Sequence, residues 1–313
     1  MSYDENQHRP TGPRRSARGL VVAAALVPVA FTAWLLWQGA GGDEDRGPVA
    51  EPTAASVSEP AGKPGDAAPS ASASASASAS PSAGRPGADG PLAGKVVVVD
   101  PGHNPGNFRH PRDINALVNI GTNRKECDTT GTATVDGYRE ADFTLDVSRR
   151  LRTLLEKQGA RVEFTHESDR PFGPCIDERA RFGNEAKADA VISVHADGSA
   201  TGNRGFHVIL PALVKGGAAD TSKIVGPSRG LGERIAGHFL RATGSAPSNY
   251  VGGGTGLDVR KDLGGLNLST VPKVFIECGN MRDPKDAALL SSPDWRQKAA
   301  QGMADGIGSY LGR

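Results

Sequence analysis

The run Val96-Val97-Val98-Val99 constrains this chain more than any other stretch. Four consecutive β-branched residues leave a strand no polar side to turn to water, so the strand they form has to be covered on both faces. Asp100-Pro101-Gly102-His103 follows at once, and the Pro-Gly pair breaks the strand in a tight turn that presents an imidazole. Strands covered on both faces belong to parallel or mainly parallel sheets layered between helices.

The sequence beyond that turn keeps to the same plan. Glu140 opens a helix in which Phe143, Val147, Leu151 and Leu154 recur at three- and four-residue intervals, and Gly159 ends it. Segments 161–165, 190–194, 205–210 and 273–276 read as further strands, the second running into His195 and the last into Glu277. Segments 176–187, about 228–243 and about 294–311 read as helices. The expectation is an α/β fold: one catalytic domain over 94–313 with a twisted, mainly parallel sheet flanked by helices. The polar, Gly- and Asn-rich connection 104–138 is too long for an idle turn and is expected to line a site.

Composition separates that domain from what precedes it. Residues 38–93 are rich in Ala, Ser, Pro and Gly, with an Ala-Ser alternation from Ser70 to Ser80, and cannot bury enough surface to offset chain entropy, so they read as a disordered linker. Residues 20–37 are eighteen in a row without a charge, preceded by Arg9, Arg14, Arg15 and Arg18 and followed by Asp43, Glu44 and Asp45. They read as a transmembrane anchor, with 1–19 a cytoplasmic tail and 94–313 extracytoplasmic. Trp34 and Trp37 suit an interfacial belt; a cleaved signal peptide and secretion is the competing reading. The formal net charge is +1, without a basic patch interleaved with aromatics, which argues against nucleic acid as a partner. A monomer is favoured.

The three cysteines, Cys127, Cys175 and Cys278, fall on the exported side, where disulfides are permitted. Cys127 and Cys175 occupy loop positions suited to a bond that pins the long connection, which leaves Cys278 free and buried beside Glu277.

His103, His195 and Glu277 each stand at or just beyond the C-terminal end of a separate apolar strand, the edge at which open α/β sheets bind ligands. Two imidazoles and a carboxylate with an open position are the inventory of a hydrolytic zinc site, and a further carboxylate is then needed to accept a proton. Glu140 and Glu277 are available for those two jobs. Each residue also has an ordinary explanation. His103 suits a turn histidine bonded to backbone, Glu140 a helix-dipole partner, and Glu277 an ion pair with Arg260 or Lys273. Asp100 reads as a group that orients His103 or caps its turn. Arg260 is a candidate partner for a substrate carboxylate or a solvated arginine. His8, His110, His166, His207 and His238 read as structural or solvated.

Val-Val-Asp-Pro-Gly-His at 98–103, Glu140 at the head of its helix, Ser-Val-His-Ala-Asp at 193–197 and Val-Phe-Ile-Glu-Cys-Gly-Asn at 274–280 together resemble the zinc-dependent N-acetylmuramoyl-L-alanine amidases of the Amidase_3 type. By that resemblance one Zn2+ would be bound by His103, Glu140 and His195, and Glu277 would act as general base and then acid. The substrate would be peptidoglycan, cut between N-acetylmuramic acid and L-alanine. Two positions depart from the family pattern: His166 follows Thr165 where the family has arginine, and Cys278-Gly279-Asn280 follow Glu277. Readings of another class are a non-catalytic module that binds wall fragments, and a zinc peptidase cutting within the stem peptide.

Overall fold

In the computed structural model, which describes residues 89–312, the valine run becomes β1 (Val96–Pro101), second from the edge of a six-stranded sheet. The connection after it carries a one-turn helix, α1 (Pro111–Ile114), and a short hairpin, β2 (Leu117–Asn119) with β3 (Arg124–Glu126). Then come α2 (Glu140–Lys157), β4 (Arg161–Phe164), α3 (Ile176–Glu185), β5 (Ala190–Asp197) and β6 (His207–Pro211). A second hairpin, β7 (Lys215–Gly216) with β8 (Ala219–Asp220), precedes α4 (Val225–Thr243), β9 (Leu257–Arg260), α5 (Gly264–Asn267) and β10 (Lys273–Asn280). Helices α6 (Pro284–Ser291) and α7 (Pro293–Leu311) follow. The anchor expected over 20–37 and the linker expected over 38–93 lie outside the described residues up to 88. The linker's expected end is corrected, because Leu92 is buried in the core and its N–H donates to the Gln158 carbonyl, so the folded domain starts before Gly94. Among the described residues no helix is long and apolar enough to cross a membrane.

The sheet runs β4-β1-β5-β10-β6-β9. Every neighbouring pair is parallel except β10 with β6, so the sheet is mixed, and segment 205–210 enters it against the direction of its neighbour. The sequence reading missed β9 and α6. Strand β9 has only four residues, two of them charged, and α6 follows directly on a strand.

The two faces of the sheet differ in chemistry. One carries Val97, Val99, Ile192, Val194, Ala196, Val208, Leu210, Val274 and Ile276, packed under Phe143, Val147 and Leu151 of α2, Leu231, Ile235 and Phe239 of α4, and Met303 and Ile307 of α7. This is the core, and at about 1.5–3 kcal/mol per buried aliphatic side chain it supplies the main drive to fold. Because strand side chains alternate, the in-between residues share the opposite face. There Val98 and Val191 make a small apolar cluster under α3, and beyond it the face turns polar: Asp100, Ser193, His195, Asp197, Lys273 and Glu277. The α/β layering follows from the first face and the site from the second.

The expectation that His195 and Glu277 cap their strands is corrected by this arrangement. Both lie within strands, paired with each other in register, and each strand continues past them. The ladder then slips by one residue between Glu277 and Asn280, a bulge of the kind that re-aims side chains beside sites. It gives the Cys278-Gly279-Asn280 departure a physical basis. Cys278 faces the core, while Asn280 donates to the carbonyls of Ser199, Ala200 and Asn203 and so holds the loop after β5.

Candidate metal centre and active site

Three side chains from three elements meet at one oxygen. Glu140 is the first residue of α2, and its Oε1 lies 3.1 Å from His103 Nε2 and 3.0 Å from His195 Nδ1. The donor atoms of these three residues all fall within 4.8 Å of one another. The other oxygen of Glu140, Oε2, accepts the Thr132 N–H, and Oε1 also accepts the Ala196 N–H. Glu140 therefore does more than neutralise its helix dipole: it sits buried where a cation would be shared with two imidazoles. Burial disfavours its charge, but His103 and His195 outweigh that and hold its carboxyl well below the usual range.

Each imidazole is fixed from behind. His103 has a left-handed backbone (φ 60), a conformation that non-glycine residues keep only where their surroundings enforce it. Its Nδ1 faces the Thr129 carbonyl at 3.2 Å and Asp128 Oδ1 at 3.5 Å, which places the proton on Nδ1 and leaves Nε2 free to ligate. His195 is set the other way round. Its Nε2 lies 3.1 Å from Ser193 Oγ, which itself donates to Asp100 Oδ2 at 2.8 Å, so Nε2–H donates to Ser193 and Nδ1 is the free nitrogen. Phe275 stacks on the same ring at 5.3 Å. Asp100, read as orienting His103 or capping its turn, supports His195 through Ser193.

The residue that joins these two supports is Arg179, which sequence reasoning missed because a basic residue in a polar helix reads as a solvated face. It is 5% exposed. Its guanidinium donates to Asp100 Oδ1 (2.7 Å), Asp128 Oδ2 (2.9 Å) and the carbonyls of Pro101, His103 and Pro174. Lys273, 1% exposed, adds a second cation at 3.3 Å from Asp100 Oδ2. Two buried cations thus balance two buried carboxylates, both held well below their usual range against the opposing effect of burial. His166, the departure from the family arginine, donates from Nε2 to the Pro101 carbonyl (3.0 Å) while its Nδ1 accepts from Ser168 N–H.

Glycine is required at two points around the cluster. A Cβ on Gly102 would lie 2.4 Å from the His195 ring, and one on Gly131 (φ 72) would lie 2.8 Å from both Glu140 Oε2 and His103.

Glu277 stands beside the cluster on the polar face, paired across the ladder with His195. Its Oε2 is buried with no hydrogen-bond partner among the described residues. Burial, reinforced by the like charges of Glu140 and Asp197, pushes its carboxyl well above the usual range. The ion pairs that would have been its ordinary explanation do not form: Lys273 pairs with Asp100, and Arg260 forks onto Asp262 at 2.9 and 2.7 Å. That pairing also engages the guanidinium that the sequence left open between a partner for a substrate carboxylate and a solvated arginine. Of the five histidines read as structural or solvated, His166 and His207 are buried, His110 sits beside Asp113, and His8 lies outside the described residues. The Cys127–Cys175 disulfide is present, tying the connection after β1 to the start of α3, and Cys278 is free and buried. A cavity of about 230 Å³ opens next to the cluster, bordered by His103, His195, Ile176, Leu263 and Phe275.

Two imidazoles and a carboxylate gathered beside the polar face of an α/β sheet, with an unpaired carboxylate alongside, make a candidate metal centre with the inventory of a hydrolase. Residues 97–309 match the N-acetylmuramoyl-L-alanine amidase family, Amidase_3, and the chain belongs to that family. It is 39% identical over 223 residues to the N-acetylmuramoyl-L-alanine amidase Rv3717 of Mycobacterium tuberculosis, covering 70% of this chain and 88% of that one. The crystal structure of the amidase Ami1 from Mycobacterium smegmatis superposes with a TM-score of 0.64 at 39% identity, over 71% of this chain and 98% of the other. The apo form of Ami1 from Mycobacterium abscessus gives the same score and identity over 70% of this chain and all of the other.

Proposed function

We propose that this chain hydrolyses the amide between the lactyl carbonyl of N-acetylmuramic acid and L-alanine in peptidoglycan, with His103, Glu140 and His195 as ligands of one Zn2+ and Glu277 as general base and acid. The observation that carries the reading is the meeting of both imidazoles on Glu140 Oε1, with Glu277 Oε2 buried and unpaired alongside. The donor set fits zinc: two neutral imidazole nitrogens, each with its tautomer fixed from behind, and one ionised carboxylate. When bound there, zinc supplies a Lewis acid that polarises a carbonyl and brings the pKa of water to about 7.

The chain's own residues supply the proton transfers. Glu277 takes a proton from water as its oxygen bonds to the amide carbon, then gives that proton to the nitrogen as the carbon–nitrogen bond breaks. The products are the muramic acid carboxylate and a stem peptide with a free L-alanine amine. Burial beside other carboxylates suits this role, since it raises the proton affinity of Glu277 toward the working pH. Outside the described residues, we read 20–37 as a membrane anchor and the linker from 38 to 88 as a tether that presents the enzyme to the wall from the extracytoplasmic side.

Incubating the purified protein with a muramoyl-peptide, with and without a chelator, tests the reaction. Release of an intact stem peptide beginning at L-alanine, abolished by the chelator and restored by zinc, is the expected result. Cleavage within the stem, or bound zinc with no product, would overturn it.

A further inference from the structure

Glu277 has a neighbour on each side along its row of the sheet. On the β5 side it faces His195; on the β6 side its cross-strand partner is His207. Directly opposed residues of an antiparallel pair project to the same face, with Cβ atoms about 4.5–5.5 Å apart. His207 is 4% exposed, and its Nδ1 is buried with no hydrogen-bond partner among the described residues, as is Glu277 Oε2. Two unsatisfied buried polar atoms thus stand on adjacent side chains, one able to donate and the other able to accept.

Most other polar groups on this face are already engaged. His195 Nε2 is held by Ser193, and Lys273 by Asp100. Arg260 forks onto Asp262. Asp197 accepts the Tyr250 hydroxyl at 2.6 Å and the Gly198 N–H at 2.6 Å. Among the described residues His207 is the neutral side chain beside Glu277 whose buried ring nitrogen has no partner. Its ring is steadied edge-on against Tyr250 (centroids 5.9 Å apart), whose hydroxyl is fixed by Asp197. Burial lowers the proton affinity of the imidazole, so it is neutral and carries a single N–H.

We propose that His207 is the positioning residue of Glu277: in the working enzyme its Nδ1–H supplies the hydrogen bond that Oε2 lacks, a contact this structure leaves open, and so fixes which carboxylate oxygen meets the reacting water. This rests on the role of Glu277 given above. His207 touches neither the triad nor the scissile bond, so its effect should fall on kcat and leave metal binding and KM alone.

The test uses the full chain with a muramoyl-peptide substrate and measures kcat, KM and bound zinc together. Because a misplaced reacting group costs up to about 100-fold in rate, His207→Leu should lose about 10- to 100-fold in kcat, with KM and zinc content at the wild-type values. His207→Asn carries an amide near the Nδ1 position and His207→Gln near Nε2, so Asn should restore most of the loss and Gln should not. Should His207→Leu fail to fold, the comparison of Asn with Gln decides alone. Equal kcat in Asn and Gln, a His207→Leu variant as fast as wild type, or a loss that follows departing zinc would each overturn the proposal. Wild-type protein that releases no stem peptide would instead overturn the reaction itself, so the two failures are distinct.

Discussion

Arg179→Ala isolates the electrostatics beneath the triad. In the folded protein this guanidinium and Lys273 balance Asp100 and Asp128, and the arginine also satisfies three carbonyls. Removing it leaves the buried group with a net charge of −1, and breaking a buried pair by deleting one partner costs about 3–5 kcal/mol. Since whole domains are stable by about 5–15 kcal/mol, the variant should fold with a much lower denaturation midpoint. Both carboxylates lie well below their usual pKa in the native protein. A depressed carboxylate stabilises above its unfolded pKa, and that stabilisation is lost as pH falls. The gap between wild type and variant should therefore be widest near neutrality and narrow below about pH 4. Asp128 and the Asp100–Ser193 relay would also lose their anchor, so zinc affinity, read by competition with a chromophoric chelator, should fall about 10- to 100-fold. Arg179→Lys keeps the charge without the fork and should lie between. A loss below about 1 kcal/mol, the scale of an exposed ion pair, with zinc affinity intact, would refute the reasoning.

Four further outcomes follow from the same geometry. Glu277→Gln should retain zinc by elemental analysis while kcat drops about 10²- to 10⁴-fold, the usual worth of a general base; loss of metal would make Glu277 a ligand. His166 has its pKa lowered to about 4, chiefly by burial and then by Arg179, and its Nδ1 already accepts an N–H. Its neutral form is the one the fold favours, so its contribution is full above about pH 6.5 and is lost as pH falls toward 4, to the extent of about 3 kcal/mol. Urea titrations at several pH values should show that slope in wild type and a flatter one in His166→Gln. Replacing both Cys127 and Cys175 by serine opens a loop of sequence separation 48 and should lower stability by about 4 kcal/mol on the chain-entropy account. Gly102→Ala, whose new methyl meets the His195 ring, should weaken zinc binding more than it lowers the melting temperature.

The parts legible in sequence are those governed by period and composition. The spacing of Phe143, Val147 and Leu151 specified α2, and the apolar runs ending near His103, His195 and Glu277 gave three adjacent strands of the sheet. The triad was legible because each histidine follows an apolar run and Glu140 opens an amphipathic helix. What escaped depends on parity and distance. No local pattern shows that β6 runs antiparallel to β10, or that His195 and Glu277 look out from a polar face and not from a strand end. Arg179 and Asp128 are 51 residues apart, and nothing near either one marks them as buried partners. Asp100 was recognised as a support but assigned to the nearer histidine, because its route to His195 passes through a serine on another strand.

The alternation of β5 and β10 sets a rule for how such an enzyme can vary. Ile192, Val194 and Ala196 face the core while Ser193, His195 and Asp197 face the site, one residue apart along the same strand. Inserting or deleting a single residue before His195 would exchange the two sets, sending the imidazole among α2, α4 and α7 and a valine to the metal position. Changes in length are therefore confined to the connections and to bulges that restore phase, such as the one after Glu277. The strands that hold the fold together also carry the candidate metal site, and the reading frame between the two roles is fixed to a single residue.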